Sequence, residues 1–403
     1  MTRRWLALVA VGVVVLAACS SDNKKSATSA ASSSGGGAQT VPVGVDAKVT
    51  GTPVAFTTYF PNDATLHAGD TIDFKETFTG EPHTVTFGTL VDQGLAKLDP
   101  NAQDEPAELK KIPDVFPQGP GDATQVSAQP CFLATGDPPA SDACSKDQQK
   151  QPEFDGTQTY YNSGFLADGD HFKVTLAKTI KPGTYNYFCV IHRGGMTGKI
   201  TIVAADAKAQ TADEVKKAGD TAVADAVTKI KPIIDAIKAG TLPPFIPAAA
   251  PGSVIAGGGS QDQPGTIPTL FGPDKANVKV GDTVTWTVVG PHTISFGASE
   301  ALSTYIAKAP DGAVHLTADS FKPAGGAGQP QGPPGGGGAA SGPPGPPTPI
   351  DGASFDGTGL HNSGLILSFP PNLFSYSVKF TKAGTFDYKC LIHPDMKGTV
   401  NVT

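Results

Sequence analysis

Two octapeptides constrain this chain more than any other feature: EPHTVTFG at residues 81–88 returns as GPHTISFG at residues 290–297. Three further segments recur in the same order. FDGTQTYYNSG (154–164) answers FDGTGLHNSG (355–364), PGTYNYFC (182–189) answers AGTFDYKC (383–390), and CVIHRGGM (189–196) answers CLIHPDM (390–396). Matching segments in a shared order mark a tandem duplication, so the two halves must share one fold. The offset is 209 residues between His83 and His292 but 201 between Cys189 and Cys390, which puts loops of different length inside the two copies.

Each copy reads as β-structure. GDTIDFKETF (69–78) and GDTVTWTVV (281–289) alternate apolar and polar residues, directing Ile72, Phe74, Val284 and Trp286 to a core. HFKVTLA, TYNYFCVI and GKITIV continue the pattern in the first copy, and YSVKFT, TFDYKCLI and GTVNVT do so in the second. With 48 glycines and 36 prolines, much of the remainder is turn and loop. The expected architecture is all-β, two antiparallel sandwiches joined by a helix-containing linker.

The first domain is expected at 41–204 with an insertion at 89–153, and the second at 252–403 with an insertion at 298–354. The second insertion contains AGGAGQPQGPPGGGGAASGPPGPPTPI, which is too poor in apolar residues to pack and is expected to be mobile. Residues 205–251 form the linker. Within it, TADEVKKAGDTAVADAVTKIKPIIDAIKAG (211–240) has a Thr211/Glu214 capping box, Gly240 as its stop and Pro232 as an expected kink. Val215, Ala222, Val223, Val227, Ile230, Ile234 and Ile237 give this helix one apolar face, suited to packing on a sandwich or bracing the two domains.

MTRRWLALVAVGVVVLAACSS opens with Arg3 and Arg4, continues with an apolar run and ends at small residues, the pattern of an export signal over residues 1–19. LAAC resembles the bacterial lipobox, which implies lipidation of Cys19. Residues 20–40 then read as a flexible tether with a span of roughly 25 Å. The expected location is the extracytoplasmic face of a bacterial membrane. Loss of residues 1–19 leaves 28 basic against 37 acidic residues, a balance that disfavours nucleic acid as a partner. Cys131 and Cys144 would pair in an oxidising compartment, which leaves Cys189 and Cys390 as unpaired thiols at corresponding positions.

The chain has three methionines, and the two beyond Met1 each follow a Cys-x-x-His. A strand histidine, a thiolate, a second imidazole and a thioether form a blue-copper donor set. A zinc site would need four good ligands, and no Cys-x-x-Cys accompanies either copy. The motifs resemble those of the cupredoxin family, of the plastocyanin and amicyanin type, across both halves of the chain. That resemblance implies two Greek-key β-sandwiches and two type 1 copper centres: His83, Cys189, His192 and Met196, then His292, Cys390, His393 and Met396. The second loop has the short amicyanin spacing, whereas the first has three residues between His192 and Met196, between that form and the longer plastocyanin one. Where many members have Asn after the first histidine, this chain has Thr84 and Thr293, whose hydroxyls are expected to brace the ligand loop. His67, His171, His315 and His361 lack ligand spacing and are expected at the surface or in hydrogen bonds.

Three functions follow from such a pair of sites. The first, and favoured, is an anchored electron carrier serving extracytoplasmic redox proteins, with His192 and His393 as the solvent-facing edge and Arg193 and Asp395 beside it. The second is an enzyme related to two-domain nitrite reductases or multicopper oxidases. Those carry a histidine beside the copper-binding cysteine, where this chain has Phe188 and Lys389. The third is copper storage or delivery, which a Met-rich surface would favour.

Overall fold

The structure is a computed structural model. It describes residues 37–99, 104–113, 126–139, 143–241, 253–260, 262–299, 306–308, 314–316, 322–326, 346–370 and 372–403. The expected signal segment, Cys19, most of the expected tether and most of the Gly/Pro-rich insertion lie outside them.

Each copy is a β-sandwich, and the two follow the same plan. In the first, one sheet runs Tyr59–Phe60, Thr40–Val45, Thr71–Glu76, His171–Thr175. The facing sheet runs Asp63–His67, Arg193–Val203, Gly183–Cys189, Thr86–Phe87, Tyr160–Asn162, Cys131–Leu133. In the second copy the sheets run Phe271–Gly272, Val254–Gly257, Thr283–His292, Phe374–Phe380, Thr348–Phe355, and Lys275–Val278, Lys397–Val402, Gly384–Lys389, Ser295–Phe296, His361–Ser363, Pro323–Ala324. All six segments expected as later strands fall in these sheets.

The sheets are mixed, not purely antiparallel as the alternation suggested. Thr40–Val45 runs parallel to Thr71–Glu76, and Asp63–His67 parallel to Arg193–Val203, with the same two pairings in the second copy. The chain crosses between sheets before returning, and a strand reached by a crossover can lie parallel to its neighbour. The GDT turn that precedes the longest alternating run is built alike in both copies. Gly69 and Gly281 adopt φ of 89° and 95°, and Asp70 and Asp282 accept amides of the preceding strand, from His67 at 3.0 Å and Lys279 at 2.8 Å.

Ile72, Phe74, Val284 and Trp286 are buried as their alternation requires. The core between the sheets is aromatic in both copies: Phe87 packs on Tyr187 with centroids 4.8 Å apart, and Phe296 on Tyr388 at 5.1 Å. Such pairs add about 0.5–1.5 kcal/mol each beyond their area. Cys131 and Cys144 form a disulfide at the edge of the first sandwich.

Ala38–Thr403 is one compact unit. Val54–Phe56 of the first copy pairs antiparallel with Thr266–Pro268 of the second, forming a small intercopy sheet. The linker helix, Ala212–Lys238, covers that junction. Its N-terminus has the expected reciprocal capping box of Thr211 and Glu214, it runs on through Pro232, and it ends before Gly240 at φ 67°. A second core joins Val54, Phe56 and Phe60 to helix residues Ala226, Ile230, Ile234 and Ile237 and to Ile255 and Leu270. The helix therefore braces both copies.

Candidate metal centres

The sandwich brings together residues far apart in sequence. His83 pairs with Leu166 by an isolated bridge just before Thr86–Phe87, while Cys189 ends Gly183–Cys189 and His192 lies in the turn that leads into Arg193–Val203. In the second copy His292 ends Thr283–His292, Cys390 follows Gly384–Lys389, and His393 sits in the turn before Lys397–Val402. Within each group the candidate ligand atoms lie within 4.8 Å of one another. The imidazole pairs match: centroids are 4.9 Å apart for His83 and His192, and 4.8 Å for His292 and His393. Met196 and Met396 are buried in the same core as the cysteines.

A repeated scaffold holds each loop. The Thr84 and Thr293 amides donate to Cys189 Sγ and Cys390 Sγ, each at 3.4 Å. Their hydroxyls accept the amides of Val190 at 2.9 Å and Leu391 at 2.8 Å, the brace expected of them. Behind these threonines the NSG repeat acts as a strap. Asn162 accepts from Thr86 at 2.8 Å and Asn362 from Ser295 at 2.7 Å, while Ser163 and Ser363 accept the amides of Val85 and Ile294. The repeat was visible in the sequence, but this role was not.

The electrostatics suit a cation. Burial opposes ionisation of both cysteines, yet the adjoining histidines outweigh it and hold each thiol well below its ordinary range. Burial likewise opposes charge on His192 and His393, but the thiolates and a carboxylate push both up to about 10. Burial keeps His83 and His292 below the usual imidazole range. In the metal-free chain one positive charge per site therefore balances a thiolate, the place a copper ion would take with loss of a proton. His83 Nδ1 and His192 Nδ1 are buried with no hydrogen-bond partner, and His292 Nδ1 and His393 Nδ1 face each other at 3.1 Å. These nitrogens and sulfurs fit copper.

One carboxylate joins the two sites. His192 Nε2 donates to Glu81 Oε2 at 3.3 Å, and His393 Nε2 donates to Glu81 Oε1 at 3.0 Å. Burial works against the Glu81 charge, but the two histidines hold its carboxyl well below the usual range. His192 and His393 thus turn their outer edges toward each other, correcting the expectation that they face solvent: the His393 side chain is 1% exposed and that of His192 17%. Arg193 is likewise no free docking residue. It pairs with Glu105 at 2.7 Å and donates to the carbonyl of Leu109, tying the first insertion to the ligand loop. Asp395 is exposed, 3.8 Å from Lys48.

The strand histidines differ in their surroundings. His83 Nε2 lies 4.0 Å from Asp46 Oδ2, and burial lifts the Asp46 carboxyl to about 8 despite hydrogen bonds from Thr79, Ala47 and Phe56. Strand register equates Asp46 with Gly257, and Glu76, whose carboxyl burial also raises, with Val288. Of the remaining histidines, His67 bonds the Ala207 carbonyl at 2.9 Å and His171 bonds Asp73 at 2.8 Å. His361 is buried and not a surface group; its Nε2 is unpartnered, but its ring hydrogen-bonds the Gly352 backbone, as the second expectation allowed. The side chain of His315 lies outside the described residues.

The sequence profile of copper binding proteins, plastocyanin/azurin family, matches residues 45–203. That span contains His83, Cys189, His192 and Met196. Residues 45–203, the first copy, match the cupredoxin family. The second copy repeats the ligand motif and, apart from the added edge strand Thr348–Phe355, the same sheet order. Similar solved structures include an auracyanin from Roseiflexus castenholzii, with 18% identity over 42% of this chain and 100% of that one and a TM-score of 0.21. Auracyanin A from Chloroflexus aurantiacus is 16% identical over 41% of this chain and 100% of its own, with a TM-score of 0.20. Amicyanin from Paracoccus versutus is 13% identical over 41% of this chain and 81% of its own, with a TM-score of 0.19. No curated protein matches the chain.

Proposed function

We propose that this chain is an anchored electron carrier with two type 1 copper centres, one held by His83, Cys189, His192 and Met196 and the other by His292, Cys390, His393 and Met396. The observation that carries the proposal is the pair of His–Cys–His groups, each with a buried cysteine and strand histidine and a ligand loop braced by a threonine. Copper bound there would supply a one-electron couple. A soft thiolate and thioether with two imidazoles accommodate both oxidation states. The chain's part is to keep the donors in place as the charge changes, which the threonine braces and NSG straps serve. Burial keeps water from both cysteines and both strand histidines. A closed donor set with its own methionine suits electron exchange and not substrate binding, so we read the chain as a carrier and not an enzyme.

The proposed setting is the extracytoplasmic face of the membrane, with a lipid on Cys19, a tether over residues 20–40 and extracytoplasmic redox proteins as partners. The signal-like segment supports this, and the Cys131–Cys144 disulfide agrees with an oxidising compartment. The test is to load the form lacking residues 1–19 with copper and record its visible spectrum. An intense thiolate-to-copper band that bleaches on reduction, without turnover of nitrite or dioxygen, is expected. Zinc in both sites after copper loading, with no such band, would contradict the proposal.

A further inference from the structure

Glu81 departs from the repeat in a way that duplication does not explain. It stands in EPHT where the second copy has GPHT, so its counterpart is Gly290. Glu81 is 4% exposed, and its two carboxylate oxygens divide between two histidines 201 residues apart in sequence. The residue before it matters as well. Gly80 has φ of 131°, and a Cβ there would lie 2.5 Å from the Ile392 carbonyl oxygen and 2.7 Å from His393 Cδ2. Glycine thus lets the first copy press against the second copy's ligand loop, carrying Glu81 into reach of His393.

A carboxylate accepts and does not donate, so both histidines present Nε2–H to Glu81 and keep Nδ1 for their own site. A Cβ at Gly290 would instead lie 3.0 Å from His292 Nε2, the strand histidine of its own copy. One acid in one copy is what a shared bridge between two similar sites requires.

Resting on the two-copper proposal above, we propose that Glu81 makes the two centres a connected pair, with electron exchange between them passing along His192, Glu81 and His393. In this exchange one centre loses one electron and the other gains it, with no bond made or broken and no proton taken from solvent. Glu81 touches neither metal and acts through the imidazoles as a positioning and coupling residue. Because both imidazoles share its charge, reduction of one centre leaves more of that charge to the other and favours its oxidised form. The second electron then enters less readily than it would in a chain with one centre.

The experiment uses the copper-loaded full chain lacking only residues 1–19, its Glu81→Gln variant, and the single-centre variants Cys189→Ser and Cys390→Ser. Gln keeps the volume but accepts from one imidazole through its oxygen, while its NH2 cannot accept from the other. After flash reduction of one centre, exchange should be about 10-fold slower in Glu81→Gln, the scale typical of losing an outer support of a metal ligand. In redox titrations the wild-type steps should be displaced from those of the single-centre variants, and Glu81→Gln should remove the displacement. Equal exchange rates with both charge-transfer bands present would overturn the proposal. So would wild-type titrations that superpose those of Cys189→Ser and Cys390→Ser, a comparison that does not depend on how Glu81→Gln folds. Absence of the band from the wild type would instead overturn the copper proposal itself, and this one with it.

Discussion

Asp46 and Gly257 occupy the same place in the two copies, both at positive φ (60° and 78°) beside the strand histidine, and only Asp46 carries a side chain there. A Cβ on Gly257 would fall 1.9 Å from His292 Nε2 and 2.3 Å from the Val289 carbonyl oxygen. Gly257→Ala should displace His292. The second centre should then lose its copper while the first keeps its own, as metal analysis of the loaded variant would show. Full loading of Gly257→Ala would mean that His292 is not held where the second centre needs it.

The threonine braces predict a stability effect. Thr84→Val leaves the buried Val190 amide without its acceptor, at a cost of about 1–3 kcal/mol. Thr84→Ser should restore most of it. Denaturant unfolding of the two variants checks this, and equal stability of Thr84→Val and wild type would show that the bond contributes nothing.

The methionines predict a change in potential. A thioether favours the reduced ion more than an amide oxygen does, so Met196→Gln and Met396→Gln should each lower the potential of one centre. Spectroelectrochemistry of the two variants reads this directly. Unchanged potentials would remove both methionines from the donor sets.

The brace between the copies predicts a change in cooperativity. Ile230 is fully buried in the core shared by the helix and both sandwiches, so Ile230→Ala should cost about 2–5 kcal/mol. Its loss should loosen the junction more than either sandwich. Calorimetry is expected to show the two copies unfolding closer to separately, whereas a single transition at the wild-type temperature would argue against the brace.

Residues whose chemistry is local were legible in the sequence. Cys189 and His192, or Cys390 and His393, lie three positions apart, and strand alternation placed Phe74 and Trp286 in the core. The relationships between the copies were not legible. Glu81 and His393 are separated by 312 residues, and the one trace of their contact was Glu against Gly in an otherwise repeated octapeptide. Arg193 reads as a surface charge beside a ligand, and its partner Glu105 belongs to an insertion with no counterpart motif. The parallel pairings were hidden because alternation reports which face a residue takes and not which strand lies beside it. The Asp46–Gly257 contrast depends on strand register, which the first strands do not reveal by themselves.

The most direct measurement is the copper content of the chain, by metal analysis together with integration of the electron paramagnetic resonance signal of the oxidised protein. Two coppers per wild-type chain are predicted, with one in Cys189→Ser, one in Cys390→Ser and an intense visible band remaining in each single variant. A single copper in the wild type, or a thiolate-to-copper band that survives both substitutions together, would contradict the two-centre assignment.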